Sequence, residues 1–171
     1  SSDHKYLLTG SKDGTIILWD TAGALIRTFD NHAVVNSVAF SPDNQTILTA
    51  SADNSAKLWS LDGALLVTYG THTGWVKSAA FSPDGQYVLT GSWDNTAKIW
   101  TVGGREITTL CGHWEKVEAI AFSPDGQYVA TGGYDFTAKI WDVSFNLKQM
   151  QSRHSSSVNT VTISPDGQHL L

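Results

Sequence analysis

This 171-residue chain is predicted to be all-β and built from repeated four-stranded antiparallel units. Three observations carry that prediction. A short phrase returns at a constant step of 41 residues: F-S-P-D-N-Q from Phe40, F-S-P-D-G-Q from Phe81 and Phe122, and I-S-P-D-G-Q from Ile163. A period of that size marks stacked copies of one supersecondary unit. Between the phrases lie strand-length runs rich in Val, Ile, Thr and aromatic residues, broken by Gly, Asn, Asp or Pro. Finally, four sets of His, Thr, Asp and Trp residues advance along the chain in steps of 40 or 41.

The third copy shows the elements in order. Val76–Phe81 is the first strand. Ser82-Pro83-Asp84-Gly85 turns the chain, with proline presetting φ and glycine supplying positive φ. Tyr87–Gly91 follows, then a tight turn at Asp94-Asn95, then Ala97–Trp100 and Glu106–Leu110. The tight turn recurs as Asp13-Gly14, Asp53-Asn54 and Asp135-Phe136. Gly and Asn tolerate the positive φ that a two-residue hairpin demands, whereas Phe136 is penalised there. The whole is read as one unit over 1–171, with repeats at about 1–31, 32–71, 72–112 and 113–153. Residues 154–171 form a partial repeat that completes the first.

The ends overlap in content. Ser1–Leu8 and Ser164–Leu171 both align with Ser41–Leu48, the turn and start of a second strand. The N-terminal part supplies the last three strands of one unit, and Val158–Ile163 supplies its first.

Composition narrows the function classes. Hydrophobic residues make up 41% of the chain, enough for a core, and the net charge of −5 offers no basic footprint for nucleic acid. No apolar stretch has transmembrane length and no secretory leader is read, so neither a membrane nor a nucleic acid is expected as partner. The single cysteine, Cys111, excludes an internal disulfide framework and fits a reducing, cytoplasmic setting.

The periodic residues carry a family resemblance. The runs T-I-I-L-W-D, S-A-K-L-W-S, T-A-K-I-W-T and T-A-K-I-W-D, the histidine ahead of each first strand and the S-P-D-G turns closely resemble the WD40-repeat β-propeller family, across essentially the whole chain. The resemblance implies four-stranded antiparallel blades in which His, Ser/Thr, Asp and Trp form a buried hydrogen-bonded chain. Carried over by position, three such tetrads lie in continuous sequence: His32/Thr49/Asp53/Trp59, His72/Thr90/Asp94/Trp100 and His113/Thr131/Asp135/Trp141. A fourth would join His154 to Thr9, Asp13 and Trp19. Read as chemistry, Ser/Thr, His and Asp also suit a hydrolytic triad or a metal site. Repetition in every copy argues against both, because a catalytic centre is built once. No cofactor motif and no catalytic residue is read.

Residues that break the period are the functional candidates. Trp75, Trp93, Trp114, Tyr134 and Phe136 map, by the family topology, to one face of two adjacent blades, with Lys77, Lys116 and Glu118 beside them. Such a cluster suits a docking surface for a protein or peptide; packing between blades is the competing reading. The function expected is a non-catalytic interaction scaffold, the alternative a carbohydrate or small-ligand propeller. Closing four blades into one ring demands ~90° per blade, against half that for eight, within the 4–8 blades that propellers use. Two chains completing an eight-bladed ring are therefore favoured, as a homodimer. Each seam would pair Val158–Ile163 with the strand around Tyr6–Gly10, and the surplus C-terminal second strand is expected to be disordered. A longer propeller protein, completed by further repeats, is the other possibility.

Overall fold

The computed structural model describes residues 1–142, 147–151 and 154–171. The end drawn at residue 153 for the fourth repeat lies outside these residues. Among the described residues, fifteen strands build four antiparallel sheets. The first sheet has three strands, β1 (Tyr6–Gly10), β2 (Thr15–Asp20) and β3 (Leu25–Asp30). The second holds β4 (Val35–Phe40), β5 (Thr46–Ser51), β6 (Ala56–Ser60) and β7 (Leu65–Tyr69). The third holds β8 (Val76–Phe81), β9 (Tyr87–Ser92), β10 (Thr96–Thr101) and β11 (Glu106–Cys111). The fourth holds β12 (Val117–Phe122), β13 (Tyr128–Gly133), β14 (Ala138–Asp142) and β15 (Leu147–Gln151).

Each sheet is a meander, so consecutive strands are neighbours. The turn between its first and second strands explains the recurring phrase. Ser82 Oγ donates to Asp84 Oδ1 at 2.5 Å and accepts from the Tyr87 N–H at 2.9 Å, while the Gly85 N–H reaches the Ser82 carbonyl at 2.9 Å. Asn44, Gly85, Gly126 and Gly167 all sit at positive φ, as does His4 in the aligned N-terminal turn.

The core lies between sheets rather than within them. Leu48, Ala50, Leu58 and Tyr69 of the second sheet pack on Val76, Ala79, Val88 and Trp100 of the third. Leu89, Ile99 and Leu110 pack in turn on Val117, Ile120, Val129 and Trp141. Small residues on the second strand let the next sheet approach. A Cβ on Gly91 would stand 2.7 Å from Ile120 Cγ2, and one on Gly132 would stand 2.7 Å from Val158 Cγ1. Where that strand carries Ala50 instead, the facing position is Ala79, in the register held elsewhere by Val38, Ile120 and Val161.

The two ends depart from the regular pattern. Val158 and Val161 pack against the fourth sheet as a first strand does, but only Ile163 of Val158–Ile163 makes a ladder pair, with Leu170. The surplus second strand pairs with that first-strand segment of its own chain. It folds back in the usual register, with Thr162 and Leu171 exchanging backbone bonds of 2.9 and 2.8 Å. Among the described residues no hydrogen bond joins β1 to Val158–Ile163. β1 thus has an open side: Leu7 is 58% exposed, whereas Ile47 at the same register in the second sheet is 0% exposed.

Candidate functional site

In the third and fourth sheets the hairpin between the second and third strands brings a carboxylate to the loop that enters the sheet. In the third sheet, Asp94 Oδ1 accepts from the Thr96 N–H at 3.0 Å and the Thr96 hydroxyl at 2.6 Å, which holds the turn. Its Oδ2 is left for His72 Nδ1 at 2.7 Å and the Thr73 N–H at 3.1 Å. His72 Nε2 lies 2.7 Å from Thr90 Oγ1, which accepts from the Trp100 indole N–H at 3.0 Å. The fourth sheet repeats this with His113–Asp135 at 2.8 Å, His113–Thr131 at 2.8 Å and Trp141–Thr131 at 3.1 Å.

One assignment of protons satisfies every group. Indole N–H can only donate, so the threonine oxygen accepts from it and its hydroxyl donates to His Nε2. The neutral ring then donates from Nδ1 to the carboxylate, which ends the chain. The carboxyls respond accordingly. Burial raises Asp94, but hydrogen bonds from His72 and Thr96 more than reverse this and hold it well below the usual range. Burial likewise raises Asp135, and Thr137 and His113 bring it down. Burial is the chief cause that lowers His113, helped by the Lys139 charge and opposed by Asp135.

The second sheet differs. His32 is exposed and faces only Asp30, at 3.1 Å. It takes no part with Thr49, Asp53 or Trp59, so its place in that tetrad is corrected. Buried Asn31 stands there instead, donating to Ser51 Oγ at 2.8 Å and the Ala33 carbonyl at 3.0 Å. The loop after Phe29 is one residue shorter than those after Tyr69 and Leu110. Counted from the preceding strand, the tetrad position falls on His32; counted back from Val35, it falls on Asn31, and β4 sets the geometry. Asn31 is too short to bridge the gap, and its buried Oδ1 has no partner. Trp59 still donates to Thr49 at 3.1 Å, and Lys57 holds Asp53 at 2.5 Å.

The fourth grouping is not assembled within the chain. Trp19 donates to Thr9 at 2.9 Å on an exposed surface, Asp13 is occupied with Thr15, and exposed His154 meets none of the three.

The lysine two residues before Trp59, Trp100 and Trp141 carries a role that the periodic pattern does not disclose. Lys139 is 1% exposed and donates to Thr137 at 2.5 Å and to Asp135 at 3.3 Å. Lys98 turns away to Glu106 at 2.9 Å. Glu106 is the signal, because Leu65 and Leu147 occupy its position in the other sheets and leave their lysines to the aspartate. Burial raises Glu106, and bonds from Thr71, Lys98 and Thr109 bring it down to about 2.

The aperiodic residues gather on the side of the entry loops. The Trp93 N–H donates to the Trp75 carbonyl and the Tyr134 N–H to the Lys116 carbonyl, both at 2.9 Å, tying each hairpin to its own entry loop. Asn95 crosses to the Trp114 carbonyl of the next sheet at 3.3 Å. Trp75 and Trp93 stack at 4.9 Å, and Trp93 lies 6.4 Å from Tyr134. Trp93 is half-buried: its indole donates to Glu118 at 2.8 Å and Lys116 sits 4.4 Å above the ring. Trp75, Trp114, Tyr134 and Phe136 are exposed, Trp114 most of all at 66%. Phe136 holds φ of 63°.

Asn36, Lys77 and Glu118 owe their direction to a β-bulge. In the ladders of the second, third and fourth sheets the residue after the first valine is skipped, which re-aims its side chain. Asn36 thereby donates to the Val76 carbonyl at 2.9 Å and Lys77 pairs with Glu118 at 3.5 Å, linking neighbouring sheets.

Among the described residues, no group of three or more His, Cys, Asp or Glu is placed to hold a metal ion, and no helix is long and apolar enough to cross a membrane. Comparison with curated proteins gives no match. The profile of the WD domain, G-beta repeat (WD40), matches residues 1–20, 23–60, 63–101, 104–142 and 145–171. Its repeats end just after the third-strand tryptophan of each sheet, a different phase of the same period. With nearly all of its length matched, and with all-β sheets carrying the repeat's hydrogen-bonded residues, the chain belongs to the WD40-repeat family.

Proposed function

We propose that the chain is a non-catalytic scaffold that docks a protein or peptide on the face formed by its entry loops and Asp hairpins. WD40 repeats generally mediate protein–protein interaction. The observation that carries the reading is the exposed aromatic group Trp75, Trp114, Tyr134 and Phe136 on two neighbouring sheets. Large aromatics that are wet in the free protein and held on a rigid frame concentrate binding energy when covered. The His–Thr–Asp–Trp chains are read as architecture, since each is closed on itself and leaves no group free to attack a substrate. The single thiol, Cys111, supports a reducing, cytoplasmic setting. Capture of binding proteins by the wild type and by a Trp75→Ala, Trp114→Ala double variant, compared quantitatively, tests the face. A set lost selectively by the variant at unchanged melting temperature is expected; equal recovery overturns the reading.

We further propose that two copies complete one eight-bladed ring. The open side of β1 and the first-strand packing of Val158 and Val161 on the fourth sheet are complementary. Their pairing would bring His154 of one copy to Thr9, Asp13 and Trp19 of the other, and would displace the folded-back C-terminal strand. Light scattering on a sizing column should report twice the monomer mass; a monodisperse monomer overturns the ring.

A further inference from the structure

The docking face has a definite electrostatic character. Its aromatic faces already hold cations, for Lys116 Nζ stands 4.4 Å and Lys77 Nζ 5.0 Å from the Trp93 ring centre. A cationic ligand seeking those rings would meet two ammonium groups. The two lysines differ in their own pairing. Lys77 faces Glu118 at 3.5 Å, and Glu118 also accepts the Trp93 indole N–H. Lys116 has no acidic partner among the described residues; only the rings of Trp93 and Tyr134 face its ammonium, the second at 5.9 Å. Its charge is therefore held against Trp93 and Tyr134 yet unpaired, two residues along the chain from the exposed Trp114.

We infer that the docking face takes a peptide bearing a carboxylate beside a large apolar side chain, with Lys116 pairing the carboxylate and Trp114 covering the apolar group. The inference rests on the docking reading above. A single-charge anion fits better than a phosphate dianion. Among the described residues the arginines are Arg27 in β3 and Arg105 in the β10–β11 turn, away from the β9–β10 end, and neither offers its planar fork to this face. Glu115 and Glu118 flank Lys116 in sequence and oppose additional negative charge.

The test is selection of random displayed peptides on the immobilised full chain, followed by affinity measurement for wild type, Lys116→Met, Lys116→Glu and Trp114→Ala, each checked for an unchanged melting temperature. Expected is enrichment of Asp or Glu next to Leu, Phe or Trp, with affinity falling roughly tenfold or more in Lys116→Glu, less in Lys116→Met, and weakening as salt is raised. Enrichment of basic peptides overturns the inference. So does acidic-peptide binding that is lost in Trp114→Ala but unchanged in Lys116→Glu, an outcome that leaves the docking face standing. Selected peptides indifferent to both positions, or no enriched sequence, overturn the docking face and the inference together.

Discussion

His113 Nδ1 and Asp135 Oδ2 stand 2.8 Å apart with both side chains closed to water, and the buried ammonium of Lys139 lies 3.5 Å from the same imidazole nitrogen. The pair makes stability depend on pH in a definite order. His113 is lowered from 6.5 in the folded chain, so the unfolded chain takes up a proton first. Its stabilisation is full above pH 6.5 and declines as pH falls below that value. Asp94 and Asp135 are lowered from 3.8, so theirs is full above pH 3.8 and is lost on further acidification. Urea midpoints followed by tryptophan fluorescence should therefore fall in two stages on acidification. A His113→Gln variant should be less stable at neutral pH and should lack the first stage.

Thr131 satisfies two buried groups at once. Thr131→Val leaves the Trp141 indole N–H and His113 Nε2 without partners, at about 1–3 kcal/mol for each orphaned group. Thr9→Val removes the same contact to Trp19, but on an exposed surface, and should change stability by no more than about 0.5 kcal/mol. Urea denaturation of the two variants checks the contrast.

Asn31→His restores a ring at the position where His72 and His113 stand in the other sheets. It removes an unpartnered buried oxygen and gives Thr49 and Asp53 an imidazole neighbour, so a gain of about 1 kcal/mol is expected. His32→Ala should leave the melting temperature unchanged. Calorimetry on the pair decides whether position 31 or position 32 belongs to the network.

Glu106→Leu copies the residue found at that position in the second and fourth sheets. It should release Lys98 toward Asp94. A double-mutant cycle between Lys98→Met and Asp94→Asn should show weak coupling in the wild-type background. In Glu106→Leu the coupling should rise to about 1 kcal/mol or more.

Gly91→Ala places a methyl group 2.7 Å from Ile120 Cγ2 and 3.0 Å from Val117 Cγ1. It should cost about 1–3 kcal/mol. Ile120→Ala in the same chain should recover part of that loss, since Ala50 already faces Ala79 without strain. Chemical denaturation of the single and double variants measures the recovery.

Much of this was legible in the residues. Val76–Phe81 was read with the bounds it has, and its three successors are each longer by one or two residues, because fraying ends follow hydrogen bonds rather than composition. The His72 and His113 groups could be read because their internal spacings agree from both sides. The spacing from His32 to Thr49 is 17 residues against 18 in the other two sheets, a discrepancy that marks the short loop after Phe29. Periodicity alone treats a 40-residue step as noise. Lys139 stayed hidden for another reason. Its ammonium is closed in by Asp135, Thr137 and the Trp114 ring, which come from the hairpin and the entry loop, a gathering that no single-strand pattern contains.

The pairing of Ala50 with Ala79, against Gly91 with Ile120, means that the repeats are not interchangeable bricks. Exchange the second unit for the third and a methyl group meets a branched side chain at one joint while a void opens at another. Neighbour order is thus written into the thickness of each joint, and a gene assembled by shuffling these segments would be sorted by steric fit before any partner was met.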